Sequence, residues 1–351
     1  NATVVGETLN ATIDDPDMAV LRDVALQATT IEELEELYIS LSGVDFAATI
    51  SSIQASGLSF GQGLFSCAVG EGAFAPIDEG QCGYTRIGGT YTDVDADPGE
   101  PGFDTATFDL AFGGQIELDE NLRLGGSIGY NRIGVDGDAG LDFDGDRIAA
   151  GVSLKYIDGP LVAGVSVSGG YTFADTSRAV AGVGVADAEF DGYDFSAIAR
   201  AAYLMDAGGG VYVKPQLEAG VTHVSRESFR ETGAGAANLA VASESETFAT
   251  FSPSIEIGGD FELDDGVRAR PFVRIGATFV AENDVSTTAA FAGAAAQPFT
   301  TTVSRDKLFG DVAAGVTIFS EDDVTVRAEY QGRFSDDTMS HGGFLKAEIK
   351  F

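Results

Sequence analysis

The stretch Leu161-Val162-Ala163-Gly164-Val165-Ser166-Val167-Ser168-Gly169-Gly170-Tyr171-Thr172-Phe173 alternates in polarity along its length. Leu161, Ala163, Val165, Val167, Gly169, Tyr171 and Phe173 share one parity, while Gly164, Ser166, Ser168, Gly170 and Thr172 share the other. Successive side chains of a strand point to opposite faces, so this run has one apolar face and one small or polar face. It is longer than the roughly five or six residues of an ordinary soluble strand. A strand of about ten such residues crosses a bilayer when its apolar face meets lipid and its other face meets a wet lumen.

The pattern recurs from residue 83 onward. Leu122, Leu124, Gly126, Ile128 and Tyr130 alternate with Asn121, Arg123, Ser127 and Asn131. Val324, Val326, Ala328, Tyr330 and Phe334 alternate with Thr325, Arg327, Glu329, Gln331 and Arg333. About twelve runs are expected, near 83–94, 103–118, 121–134, 142–156, 160–175, 189–205, 210–226, 245–263, 266–281, 301–319, 322–335 and 341–351. The connections alternate in length. Asp119–Glu120, Asp158–Gly159, Asp206–Gly209, Asp264–Asp265 and Ser320–Glu321 read as tight turns. Asp95–Gly102, Val135–Leu141, Thr176–Ala188, Glu227–Glu244, Glu282–Thr300 and Ser335–Ser340 read as longer loops. Outer-membrane barrels keep short turns on one side and long loops on the other. The fold expected is therefore an all-β transmembrane barrel of about 12 antiparallel strands.

Composition agrees. The 351 residues hold 46 Gly, 24 Phe, 10 Tyr and no Trp, and are 44% apolar without one long apolar run. One closed sheet can absorb such a length as a single domain. The formal net charge of −35 excludes nucleic acid as a natural partner, because the phosphate backbone requires the opposite sign. Basic residues fall mainly on strands at polar parity. Arg123, Arg200, Arg268, Arg270, Arg274, Arg327 and Arg333 are expected to face the lumen, since Arg facing lipid at the midplane costs about 2–4 kcal/mol. Cys67 and Cys82 lie 15 apart. In an oxidising compartment they would pair, closing a loop worth roughly 3 kcal/mol; in a reducing one they would stay free thiols. With no His nearby they make a poor metal site.

The first 82 residues read as helix. Thr30-Ile31-Glu32-Glu33 has the form of a capping box, with Thr30 as cap and Glu33 reaching back. The helix runs through Leu34, Leu37, Tyr38 and Leu41 to Gly43, with acidic residues near its positive end. A second helix is expected over 44–66, rich in Ala, Ser, Thr and Gly. About 23 residues at 1.5 Å each give roughly 35 Å, close to a membrane thickness. It is too polar to face lipid and slim enough for the lumen. Twelve strands leave a bore of about one helix diameter, 10–12 Å. A position in the periplasm or at the barrel mouth is the alternative.

Catalytic signals are thin. His223 and His341 are the two histidines. His341 beside Asp336 and Asp337 could belong to a hydrolase site at the rim, but no supporting motif accompanies it. Asp93, Asp95 and Asp97, and Asp136 through Asp146, alternate like Ca²⁺ loops without completing an EF-hand. No catalytic, cofactor-binding or metal site is expected, and no cofactor.

At residues 82–130 the chain resembles a known family. Cys82-Gly83-Tyr84-Thr85-Arg86-Ile87-Gly88-Gly89, then Phe103-Asp104, then Asn121-Leu122-Arg123-Leu124-Gly125-Gly126-Ser127-Ile128-Gly129-Tyr130, is similar to the opening of autotransporter (type V secretion) C-terminal translocator β-domains. Leu41-Ser42-Gly43 resembles the junction that precedes the family's pore helix. Gly83 or Tyr84 stands where that family often has Trp. The C-terminal Leu345, Ala347, Ile349 and Phe351, alternating with Lys346, Glu348 and Lys350, resembles the signal read by the barrel-assembly machinery; physically it is an amphipathic last strand with an edge suited to strand pairing.

The resemblance implies three parts: a helical linker or passenger stub over 1–43, a pore helix and disulfide-closed connector over 44–82, and the barrel over 83–351. It implies a monomer in the Gram-negative outer membrane, contacting lipid and lipopolysaccharide. Its first strand would start, and its last strand end, at the periplasmic side. It implies export of an N-terminal passenger, with helix 44–66 then plugging the pore. Family members that cut themselves in the pore do so at an Asn-Asn bond, and 44–66 contains no Asn. The competing reading is a porin-like channel with residues 1–66 as an appendage.

Overall fold

The computed structural model describes residues 1–65, 67, 80–263, 267–294, 296–319 and 324–351. Among these, twelve long strands form a closed antiparallel barrel. They are β1 (Cys82–Val94), β2 (Phe103–Glu117), β3 (Leu122–Gly137), β4 (Leu141–Asp158), β5 (Leu161–Val180) and β6 (Gly184–Tyr203). The circuit continues through β7 (Val211–Arg226), β8 (Glu244–Gly259), β9 (Arg268–Ala281), β10 (Leu308–Phe319), β11 (Val324–Phe334) and β12 (Thr338–Lys350). Each strand pairs with the next, and β12 closes on β1 from Cys82↔Lys350 to Val94↔Thr338. The edge expected on the last strand therefore does not exist in the folded barrel. Among the described residues closure leaves none of the twelve strands as a free edge, as a spanning sheet in hydrocarbon requires.

Parity sorts the faces as alternation demands. Ile128, Val165, Val273, Ile275, Leu345 and Ile349 are exposed on the outer face, where lipid would cover them. Towards the loop end this belt meets tyrosines whose hydroxyls donate to carboxylates on the next strand. Tyr171 reaches Asp191 at 2.7 Å, Tyr91 reaches Asp104 at 2.5 Å, and Tyr130 reaches Asp146. No described helix is long and apolar enough to cross a membrane.

Several boundaries differ from the polarity pattern. β5 and β6 run on through Thr176–Ala188 to the pair Val180↔Gly184, because ladder bonds need backbone groups and not apolar side chains. The barrel strand expected from 301 begins at Leu308. Residues Phe299–Ser304 belong instead to a separate four-stranded sheet with Asp284–Phe291, Leu239–Val241 and Phe229–Arg230. That sheet is built from the two longest loops. The expected turns at Asp264–Asp265 and Ser320–Glu321 lie outside the described residues.

The N-terminal segment forms α1 (Ala2–Ala11), α2 (Ala19–Ala25), α3 (Ile31–Ser42) and α4 (Phe46–Gly63). Thr30 caps α3, its Oγ1 accepting from Glu33 N–H at 3.1 Å. Glu33 reaches back one residue further than a capping box requires, accepting from Thr29 N–H at 2.7 Å and Thr29 Oγ1 at 2.9 Å. Gly43, at φ 63°, ends α3 in the left-handed conformation that costs glycine least. Residues 1–43, expected as linker, are packed: Val5, Leu9, Leu21 and Leu41 share one buried core with Leu239, Phe291 and Phe299 of the accessory sheet. Together they form a cap over the loop end.

Candidate functional site

The lumen is where the chain places its unusual chemistry. α4 stands inside it, shorter at both ends than the 44–66 expected; Ser66 lies outside the described residues. Its eighteen residues span about 27 Å at 1.5 Å each. It enters at the loop end, where the Phe46 ring packs edge-on against Phe229, centroids 5.0 Å apart. It ends near the short-turn end, where Ser153 Oγ on β4 donates to Leu64 O at 3.0 Å. Ser166 Oγ donates to Gly61 O at 3.1 Å, and Gln62 Nε2 to Glu218 Oε1 at 2.6 Å. Strand hydroxyls thus satisfy carbonyls that a helix leaves open at its C-terminal end.

The small residues of α4 permit a close fit. A Cβ on Gly57 would lie 2.7 Å from Asp194 Oδ2. Directly below, Arg147 on β4 holds Asp194 on β6 through Nε–Oδ1 and Nη2–Oδ2, both 2.7 Å, and its Nη1 donates to Asn131 Oδ1 at 2.6 Å. The helix is eccentric. It packs against β2 through β7 and leaves a cavity of about 510 Å³ towards the opposite wall.

The seven expected lumenal arginines divide into two groups. Arg200, Arg274, Arg327 and Arg333 line this cavity. Arg200 pairs with Glu218 at 2.5 Å, Arg274 with Glu329 at 3.2 Å, Arg327 with Glu329 at 2.7 Å and Arg333 with Asp311 at 2.8 Å. The other three share the inward parity but work at the turn end. Arg123 donates to Asp119 O at 2.8 Å and pairs with Glu117. Arg268 and Arg270 converge on Asp260 at 2.7 and 2.9 Å. Sequence reading passed over Arg86, Arg147, Arg178 and Arg226. Each has inward parity, which was the available signal, but their partners depend on register. Arg178 on β5 pairs with Glu231 at 2.5 Å and donates to Ser40 O, tying cap to barrel. Arg226 Nη1 donates to Phe46 O at 3.2 Å.

Cys67 and Cys82 are disulfide-bonded, joining the segment after α4 to the start of β1. Leu345, Ala347, Ile349 and Phe351 point outward, Phe351 at the turn end. His341 Nδ1 meets Tyr330 Oη at 2.6 Å on the outer face, and His223 Nδ1 meets Thr247 Oγ1 at 2.9 Å. The acidic runs form a cross-strand row, Asp93–Asp104–Asp136–Asp142. Among the described residues the one group of three metal-ligating atoms is Cys67, Cys82 and Glu348, and the disulfide occupies both sulfurs.

Asp45, just before α4, is level with the β3–β4 connection at the loop end. Burial pushes its carboxyl up to about 7, against the opposing pull of the Leu141 and Ala139 backbone N–H groups. Its Oδ2 has no hydrogen-bond partner among the described residues.

The comparisons with known proteins agree with this architecture. The family model for the autotransporter β-domain matches residues 83–331, and the chain belongs to that family. It is an outer-membrane translocator barrel of Gram-negative type. Among solved structures it is similar to the translocator domain of the autotransporter NalP from Neisseria meningitidis, with TM-score 0.69 and 13% identity, covering 88% of this chain and 98% of that one. It is also similar to the transport unit of AIDA-I from Escherichia coli, with TM-score 0.61 and 13% identity, covering 86% and 99%. The β domain of the Bordetella autotransporter BrkA aligns with TM-score 0.58 and 15% identity, covering 78% and 100%. At these identities the likeness is one of fold. No curated protein matches the sequence.

Proposed function

We propose that this barrel assists export of a passenger polypeptide joined on its N-terminal side and then anchors it at the cell surface. The observation that carries this reading is the direction of α4, which enters the lumen at the loop end and leaves at the turn end. A chain leading into α4 therefore emerges on the loop side. With short turns in the periplasm, that side is extracellular, and both β1 and β12 meet the periplasm at Cys82 and Phe351.

After export α4 occupies the β2 to β7 side of the lumen and leaves too little room for a polypeptide, while the cap of α1 to α3 packs on the accessory sheet at the loop end. On this reading 1–43 is the cap and passenger junction, 44–82 the pore helix with its disulfide-closed connector, and 83–351 the barrel. Arg200, Arg274, Arg327 and Arg333 keep the inner wall polar. Leu345, Ala347, Ile349 and Phe351 serve insertion by the barrel-assembly machinery, beside lipid and lipopolysaccharide.

Surface display tests the proposal. A chain carrying an epitope ahead of Asn1 should expose it to external antibody and protease in intact cells. A folded, membrane-inserted barrel that leaves the epitope in the periplasm would overturn the reading in favour of a passenger-less channel. Phe351→Ser should lower the amount of inserted barrel several-fold.

A further inference from the structure

The open side of the lumen carries its own electrostatics. Arg86, Lys346 and Arg327 are direct cross-strand neighbours on β1, β12 and β11, all at inward parity. Like charges opposite one another destabilise a sheet unless they are partnered. Lys346 Nζ lies 2.7 Å from Glu348, and Arg327 holds Glu329 through Nε and Nη2 at 2.9 and 2.7 Å. Arg86 has no carboxylate within ion-pairing distance among the described residues. Its guanidinium instead stacks on the Phe344 ring, 3.9 Å from the centroid. A Cβ on Gly63 would lie 2.6 Å from Arg86 Nη1, so this cation fills the gap between the foot of α4 and the barrel wall.

The excess extends beyond that row. The cavity is lined by nine Lys and Arg side chains against six Asp and Glu, inside a chain whose net charge is −35. α4 contributes no charge to it, presenting Ser51, Ala55, Ser59 and Gln62. Composition alone would make this lumen acidic. Its positive sign is a property of which residues were placed at inward parity.

We propose that the lumen beside α4 is a passage for small inorganic anions of chloride size, with the Arg86–Lys346–Arg327 row as its selecting element. This goes beyond the export reading, which asks of the lumen only that it admit polypeptide. A fixed positive lining raises the local concentration of anions and repels cations, and rings of basic side chains select anions in pores. Hydroxyl groups along α4 supply donors on the facing side. The Arg86 guanidinium, which faces the cavity without a close ion pair and has Asp109 and Glu329 only at longer range, adds to the net attraction of the nine basic side chains over the six acidic ones.

The test uses the full purified chain in planar bilayers of neutral lipid under a KCl gradient. The reversal potential should report preference for chloride over potassium. Arg86→Glu should lower that preference roughly twofold or more, and Arg86→Gln should fall between the two. Arg132→Gln, on the outer face, should leave it unchanged. Heat-modifiable electrophoretic mobility identifies the variants that are folded barrels, and Arg86→Gln carries the test if Arg86→Glu does not fold. The proposal is overturned if the folded native chain does not conduct, if it prefers potassium, or if both Arg86 variants keep the native reversal potential. Surface display of the epitope decides the export reading separately.

Discussion

Arg147 and Asp194 form a bidentate ion pair under Gly57 of α4, with neither side chain exposed to solvent. The strands that carry them, β4 and β6, are separated by β5, whose Gly170 leaves room for the Arg147 guanidinium. The pair therefore joins wall to wall beneath the helix. Leaving either charge buried alone is expensive, because water no longer solvates it.

Asp194→Ala should destabilise the folded barrel by about 3–5 kcal/mol, the usual cost of stranding a buried partner. Replacing both residues, as in Arg147→Met with Asp194→Leu, should recover most of that loss. Denaturant midpoints of the single and double variants check it. Equal destabilisation in the single and the double variant would show that the pair contributes packing alone.

Gly57→Leu should unseat α4 without opening the barrel. A side chain there meets Asp194, which Arg147 holds in place, so the helix must move; overpacking of this kind costs about 1–3 kcal/mol. Faster protease cleavage within 46–63, at unchanged heat-modifiable mobility, is the expected readout. An unchanged cleavage rate would argue that α4 has slack at this point.

The α3 cap gives a prediction in two parts. Thr30→Ala should cost about 1 kcal/mol, visible as faster amide exchange in the first turn of α3. The N–H of Thr29 holds the Glu33 carboxylate below its ordinary range. Its folded pKa is thus lower than its unfolded one. The contribution is present above the unfolded value and is lost as pH falls through the folded value. An NMR titration of Glu33 should show this depression, and Thr29→Pro, which removes the N–H, should reduce it.

Asp45 has the opposite sign. Burial raises its carboxyl from an ordinary value to about 7, so folding favours the protonated form. Stability from this group is full below the unfolded pKa and declines as pH rises towards about 7. Asp45→Asn should flatten that dependence and raise the thermal midpoint at neutral pH. A steeper dependence in the variant would refute the assignment.

Reducing the Cys67–Cys82 bond should loosen the connector between α4 and β1 while the barrel persists. Its sequence separation of 15 corresponds to about 3 kcal/mol of loop-closure stabilisation. Reduced protein should keep its heat-modifiable mobility and unfold at lower denaturant. An unchanged midpoint would mean that the connector is constrained by its contacts alone.

Much of this architecture was legible in the chain itself. Period-two alternation identifies the spanning strands, because a barrel wall between lipid and water must change face at every residue. The turns after Glu117 and Asp158 were readable for the same reason, as interruptions of that period. The Thr30 cap was also readable, since it is set by neighbours close along the chain, whereas the spacing of Cys67 and Cys82 left both a bond and free thiols open. What polarity could not show was where pairing ends outside the membrane, since Thr176 to Ala188 pair through backbone groups that carry no hydropathy signal.

The lumen itself was decided by tertiary structure. Inward parity marks Arg86, Arg147 and Arg327 alike, yet one stacks on Phe344, one is locked to Asp194 and one is bound to Glu329. Those outcomes depend on register between strands and on which wall α4 leans against. The amphipathic period determined that there is a barrel and which side chains face inward. Only closure of the sheet, and the eccentric seat of the helix, decided which of those charges meet and which remain beside open space.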